Sequence, residues 1–124
     1  MTDIRVTWGG CTYAVSVDYP GYLDGEKLSA PGSAYVNGVI GQLPQALSLA
    51  TLKLLRTYND NWLDDDHPNL TEAEFTAKLT VERISVLDEP NQATVYLGDG
   101  DMFGGHSIEV VFYGLAATHA NIVG

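Results

Sequence analysis

The stretch LPQALSLATLKLLRTYNDNW, residues 43–62, decides the fold. Leu43, Leu47, Ala50, Leu54, Tyr58 and Trp62 recur at spacings of three and four, which lines them along one stripe of a helix of about five turns. Leu52 and Leu55 widen the stripe, while Gln45, Ser48, Lys53, Arg56 and Asn59 populate other faces. Pro44 suits the first turn, where a missing N–H costs no intrahelical bond. A one-sided helix of this length has to bury its stripe, and the chain on either side supplies strands to receive it.

N-terminal to the helix, Ile4, Val6 and Trp8 alternate with polar residues, Gly9-Gly10 tolerates the positive φ of a tight turn, and Tyr13, Val15 and Val17 resume the alternation. This predicts a β-hairpin, with Cys11 in phase with Tyr13 and Val15 as a small core residue. From Asp18 to Ser33 the chain carries Pro20, Gly21, Gly25, Pro31 and Gly32 with few periodic apolar residues, and reads as a long connection.

C-terminal to the helix, Asp64-Asp65-Asp66-His67-Pro68 makes an exposed acidic turn. Thr71 followed by Glu74 is a capping box, and Leu70 and Phe75 occupy the positions of a hydrophobic staple, so a short second helix starts here. Leu79 and Val81, then Ile84 and Val86, alternate in two phases that change near Arg83, as a bulged strand does. Asp88 to Gln92 turns into a strand at Thr94 to Leu97, Gly98 to Gly105 interrupts, Ser107 to Tyr113 resumes, and Leu115 to Val123 predicts a short edge strand. Strands, two helices and more strands, without βαβ alternation, predict an α+β fold: an antiparallel β-sheet with one long helix and one short helix packed on one face. The length fits a single domain over residues 1–124.

A chain that is 45% apolar and 18% charged has the composition of a globular protein and not of a disordered one. Sixteen acidic residues against six basic ones give a net charge of −10, which repels nucleic-acid phosphates and anionic membranes and attracts a basic protein surface. Cys11 is the sole cysteine, which excludes an intramolecular disulfide and a Cys-rich metal site and fits a reducing compartment. No segment approaches the roughly 20 apolar residues of a membrane span, and residues 1–6 have no signal-length apolar run, so a cytoplasmic location is expected.

Two polar clusters are candidate sites. Asp99, Asp101 and His106 punctuate a glycine-rich turn; these residue types stabilise turns, and a Ca²⁺ loop would need more oxygen ligands than Glu109 could add. Asp64, Asp65 and Asp66 with His67 read as a solvated charge run, because consecutive carboxylates in a turn diverge. There is no nucleophile elbow and no phosphate-binding loop, so no catalytic residue, metal or cofactor is expected. Tyr19, Tyr22 and Tyr35 lie in or beside the long connection with Asp18, Asp24 and Glu26, an anionic and aromatic combination suited to protein recognition. The expected partner-binding set is therefore Asp18, Tyr19, Tyr22, Asp24, Glu26 and Tyr35, together with Asp64, Asp65 and Asp66.

Residues 98–110, GDGDMFGGHSIEV, resemble the DG-D-x-F-x-G-H-x-I-x-V signature of small bacterial domains of unknown function, some of which are immunity proteins of polymorphic-toxin systems. That resemblance implies a compact α+β protein of no established enzymatic activity, with neutralisation of a toxin by direct binding as the expected role. Charge and resemblance agree on an acidic, immunity-type inhibitor of a basic toxin or effector. The alternatives are a small metal-dependent or acid–base enzyme built on Asp99, Asp101 and His106, and a nucleic-acid-mimicking inhibitor of a phage or host-defence protein.

Overall fold

Hairpin, helices and the remaining strands meet in a single mixed sheet. The computed structural model describes residues 2–61 and 69–123. In chain order the strands are β1 (Thr2–Trp8), β2 (Cys11–Val17), β3 (Leu23–Asp24), β4 (Lys27–Leu28), β5 (Thr80–Val86), β6 (Gln92–Gly98), β7 (Ser107–Tyr113) and β8 (Ala116–Val123). The helices are α1 (Ala30–Gly41), α2 (Leu43–Asn61) and α3 (Glu72–Lys78), with a 3-10 turn at Pro20–Tyr22. Six strands pair in the order β1-β2-β5-β6-β7-β8, and β3 and β4 form a separate two-stranded ribbon.

The α+β architecture is present, with two corrections. The sheet is antiparallel except at its β2–β5 junction, which is parallel, with Val15 opposite Ile84 and Val17 opposite Val86. Parallel neighbours cannot be joined by a hairpin, so the chain between them makes a long crossover. The second correction is a third helix. α1 begins inside the stretch expected to be a connection: Ser29 caps it by accepting the Gly32 N–H at 3.2 Å, and Pro31 sits in its first turn. Gly32, Gly38 and Gly41 weaken its helical signal, yet Tyr35, Val36, Val39 and Ile40 are buried. Gly32 is required by packing, since a Cβ there would overlap the Tyr22 carbonyl.

Register places the core on one face. Ile4, Val15, Ile84, Val95, Val110 and Ala120 fall in one cross-strand row, and Val17, Val86, Ala93 and Phe112 continue the same face. α2 packs against β7, β8 and α3. Its buried positions are Leu43, Ala46, Ala50, Leu54 and Tyr58, with Leu47 and Leu55 half-buried. Leu52, expected to widen this stripe, is 74% exposed because it lies two residues from Ala50, on the opposite side of the helix. Cys11, expected in the core, is exposed beside the hairpin turn. Trp62 falls outside the described residues, as do Asp64, Asp65, Asp66, His67 and Pro68.

Side-chain devices close the joints. Asn59 accepts the Leu70 N–H at 3.0 Å and donates to its carbonyl at 3.1 Å, clamping α2 to the approach to α3. Thr71 accepts the Glu74 N–H at 3.2 Å while Glu74 accepts the Thr71 N–H at 2.9 Å, completing the capping box. These bonds, the one to the Thr71 backbone foremost, hold the Glu74 carboxyl below its ordinary range. β5 is bulged between Val81 and Arg83, where the phase of alternation changes. A second bulge, between Val111 and Phe112, lets β8 run for eight residues, longer than the expected short edge strand.

Truncation tests the stripe directly. Leu54→Ala should cost about 3 kcal/mol in urea unfolding, since it empties a core site, whereas Leu52→Ala should stay within about 0.5 kcal/mol; equal effects would invert the assignment of faces.

Candidate functional site

The two ends of the sheet carry different chemistry. At one end β2 leaves the sheet, with the Asp18 N–H bonded to the Val86 carbonyl at 3.0 Å, beside the β5–β6 turn. The Pro20–Tyr22 turn and the ribbon follow immediately. Tyr19 meets Tyr22 edge-on at 4.8 Å, and Tyr22 stacks on Tyr35 at 5.3 Å between ring centroids. The Tyr22 hydroxyl accepts the Asn91 N–H at 3.0 Å, the Tyr35 hydroxyl donates to the Gly114 carbonyl at 3.0 Å, and the Gly114 N–H donates to the Asn91 carbonyl at 2.7 Å. Two tyrosines thus latch the crossover onto both turns at this end of the sheet.

That latch reassigns two residues from the expected binding set. Tyr22 and Tyr35 are each only 7% exposed and spend their hydroxyls on turn backbone, so neither offers an anchor to a partner. Tyr19 is half-buried and keeps a reachable edge. Asp18, Asp24 and Glu26 are exposed, the last two flanking Gly25 at the ribbon tip. Asp88 and Glu89, exposed in the β5–β6 turn, were not singled out in the sequence, because only the register brings that turn alongside Asp18. Asp18, Asp24, Glu26, Asp88 and Glu89 form an acidic rim with Lys27 as the basic residue among them.

At the opposite end, the glycine-rich turn is organised by one carboxylate. Asp99 is 3% exposed. Its Oδ1 accepts the Asp101 N–H at 2.8 Å, and its Oδ2 accepts those of Phe103, Gly105 and His106 at 3.0, 3.2 and 3.0 Å. The Asp99 carbonyl takes the Met102 N–H and the Asp101 carbonyl takes that of Gly104, so six consecutive backbone donors are satisfied within the turn. Gly100 has φ +57°, and a Cβ there would come within 2.7 Å of the Lys78 carbonyl oxygen. Phe103 is fully buried against Tyr58 of α2 and Phe75 of α3, at 5.6 and 6.2 Å between centroids. Asp101 is exposed at φ +64° and takes none of the turn's N–H groups through its side chain.

The motif residues therefore shape a turn: Asp99 gathers donors, Gly100 permits the close approach, and Phe103 plugs the core. The Asp99 oxygens are thus committed to four backbone N–H groups. Among the described residues, no three or more His, Cys, Asp or Glu side chains are grouped to hold a metal ion. No described helix is long and apolar enough to cross a membrane. His106 borders a depression on the other face of the sheet, together with Glu82, Arg83, Tyr96 and Ser107. The phase change near Arg83 was the sequence's one signal of that place.

The family model described as an uncharacterized protein conserved in bacteria, DUF2262, matches residues 5–114. The chain belongs to the DUF2262 family. The match extends from β1 to the β7–β8 turn and contains both ends of the sheet described above. No curated protein and no solved structure matches the chain. For this DUF2262 protein, function has to be argued from its own geometry.

Burial, with Tyr22 alongside, pushes the Tyr35 phenol up to about 12. A folded-state value above the ordinary 10 favours the protonated form, so its contribution is intact below pH 10 and is lost as pH rises through 12. Tyr35→Phe should cost about 1 kcal/mol at neutral pH, and its deficit against the parent should shrink across that alkaline window; a constant deficit would remove the phenol from the latch. In the glycine turn, Asp99→Asn should lower stability by about 2 kcal/mol and shift the Phe103, Gly105 and His106 amide resonances, whereas Asp101→Asn should stay within about 0.5 kcal/mol.

Proposed function

We propose that this DUF2262 protein is an acidic protein-binding module that neutralises a basic toxin or effector by occlusion, as an immunity-type inhibitor does. The observation that carries the reading is the acidic rim: Asp18, Asp24, Glu26, Asp88 and Glu89 are exposed on the turn and ribbon where β2 leaves the sheet, and Tyr19 in the same segment is half-buried. The Tyr22–Tyr35 latch beneath holds this surface rigid, which lowers the ordering cost of binding. A chain of net charge −10 steers a cationic partner at long range, and the rim gives that field a direction. Asp64, Asp65 and Asp66 add to the same charge. The similarity of residues 98–110 to a signature found among toxin-immunity domains points the same way.

The Asp99 geometry makes the enzyme alternative the weaker one, because the carboxylate it would use is committed to backbone. Inhibition by nucleic-acid mimicry draws on the same charge and differs in the partner, which would then bind DNA or RNA through the same surface.

The test begins with capture from the native host, co-expressing the products of adjacent genes, followed by association kinetics at two salt concentrations. Replacing Asp18, Asp24 and Glu26 together by Lys should slow association about tenfold or more and flatten its salt dependence. Tyr19→Ala should chiefly accelerate dissociation, by roughly 30-fold for a loss of about 2 kcal/mol. Association indifferent to both salt and the three reversals would reduce the charge to a solubility device and end this reading.

A further inference from the structure

The sheet face opposite the core carries a second polar constellation, at the other end from the acidic rim. Its cause is the β5 bulge. The extra residue between Val81 and Arg83 sets both Glu82 and Arg83 against Tyr96, and both side chains reach residues of this face. The Ser107 hydroxyl donates to Glu82 Oε1 at 2.9 Å, which fixes that carboxylate and leaves its second oxygen open. The Arg83 guanidinium lies over the Tyr96 ring, 4.5 Å from the centroid. Among the described residues Arg83 makes no hydrogen bond or ion pair, and Glu82 and Arg83 are not paired with each other. A depression of about 490 Å³ lies between these groups, bordered also by Gly104, Gly105 and Val123.

Opposite charges at neighbouring positions border this depression without closing on one another. One of them is stacked on Tyr96 and the other is held by Ser107, so each is kept beside the depression by a neighbour of its own. The ligand has to satisfy both. A polyanion meets Glu82 and the field of a chain at −10, a simple cation meets Arg83, and a neutral apolar molecule leaves both charges desolvated. A molecule with a carboxylate and an ammonium on one carbon satisfies the two at no net charge.

We propose that this depression binds a free α-amino acid, its carboxylate on the planar donor fork of Arg83, its ammonium on the open oxygen of Glu82, and its side chain toward Val123. The guanidinium fork matches a carboxylate in two parallel bonds, which an ammonium donor in its place could not do. The volume suits a small molecule, and the shallow, open setting limits the site to modest affinity. This site is independent of the acidic rim, which lies at the far end of the strands.

The experiment is an amide-resonance titration of the full chain with L-leucine, alongside 4-methylpentanoate and 3-methylbutylamine, which keep the same skeleton without the amine or the carboxylate. L-leucine should shift Arg83, Gly104 and Gly105 saturably, and both half-ligands should bind at least tenfold more weakly. Arg83→Gln and Glu82→Gln should each weaken leucine at least tenfold with an unchanged thermal midpoint, because both side chains are exposed. Asp18→Lys should leave leucine binding intact. The proposal is overturned if L-leucine, L-alanine and L-phenylalanine all fail to saturate, if 4-methylpentanoate binds as tightly as leucine, which would make this a bare anion site, or if Arg83→Gln binds undiminished.

Discussion

The parallel register of β2 against β5 is the constraint from which the rest of the molecule follows. Val15 faces Ile84 and Val17 faces Val86 with both strands running the same way, so a chain leaving β2 at one end of the sheet has to return at the other before β5 can start. All three helices lie on that return path. The crossover must therefore be fastened at both ends of the sheet, and it is, by different chemistry at each. Tyrosine hydroxyls on turn backbone hold the outgoing end, and the Phe103 plug between Tyr58 and Phe75 ties the helices to the sheet at the incoming end.

Each fastening also disciplines a loop, and this makes the two ends usable as surfaces. Loops that recognise partners need a rigid support beneath them. Beneath the acidic rim, Tyr19 meets Tyr22 edge-on and Tyr22 stacks on Tyr35, and the hydroxyls of Tyr22 and Tyr35 reach both neighbouring turns. At the glycine turn a single buried carboxylate gathers four N–H groups, which stabilises it only because they arrive from several directions at once.

Local patterns were legible in the sequence and long-range ones were not. The α2 stripe, the Gly9-Gly10 hairpin, the Thr71–Glu74 box and the phase change at Arg83 each depend on residues within a turn or two of one another, and each has its counterpart in the fold. α1 was missed because Pro31 and three glycines mask a helix stabilised by packing rather than by propensity. The parallel junction could not be read, since nothing local distinguishes a strand that will pair forward from one that will pair backward. Tyr22 and Tyr35 had the composition of an interface and the position of a core, and burial is a property of the whole fold. Glu82, Arg83 and Tyr96 escaped notice for the same reason: their proximity is created by strand register and a bulge.

Charge placement separates the two ends by range. Five carboxylates around one lysine act through their summed field, which reaches about 8 Å beyond the surface at physiological ionic strength and weakens as salt is added. Glu82 and Arg83 largely cancel at that distance and are felt only on contact, through a hydrogen-bonded carboxylate and a stacked guanidinium. On the proposed readings, the rim would select a large partner by the sign of its charge before contact, and the depression a small one by geometry after it. β6 pairs with β7 from Gln92 to Gly98 and with β5 across the bulge, so the sheet between the two ends is continuous there.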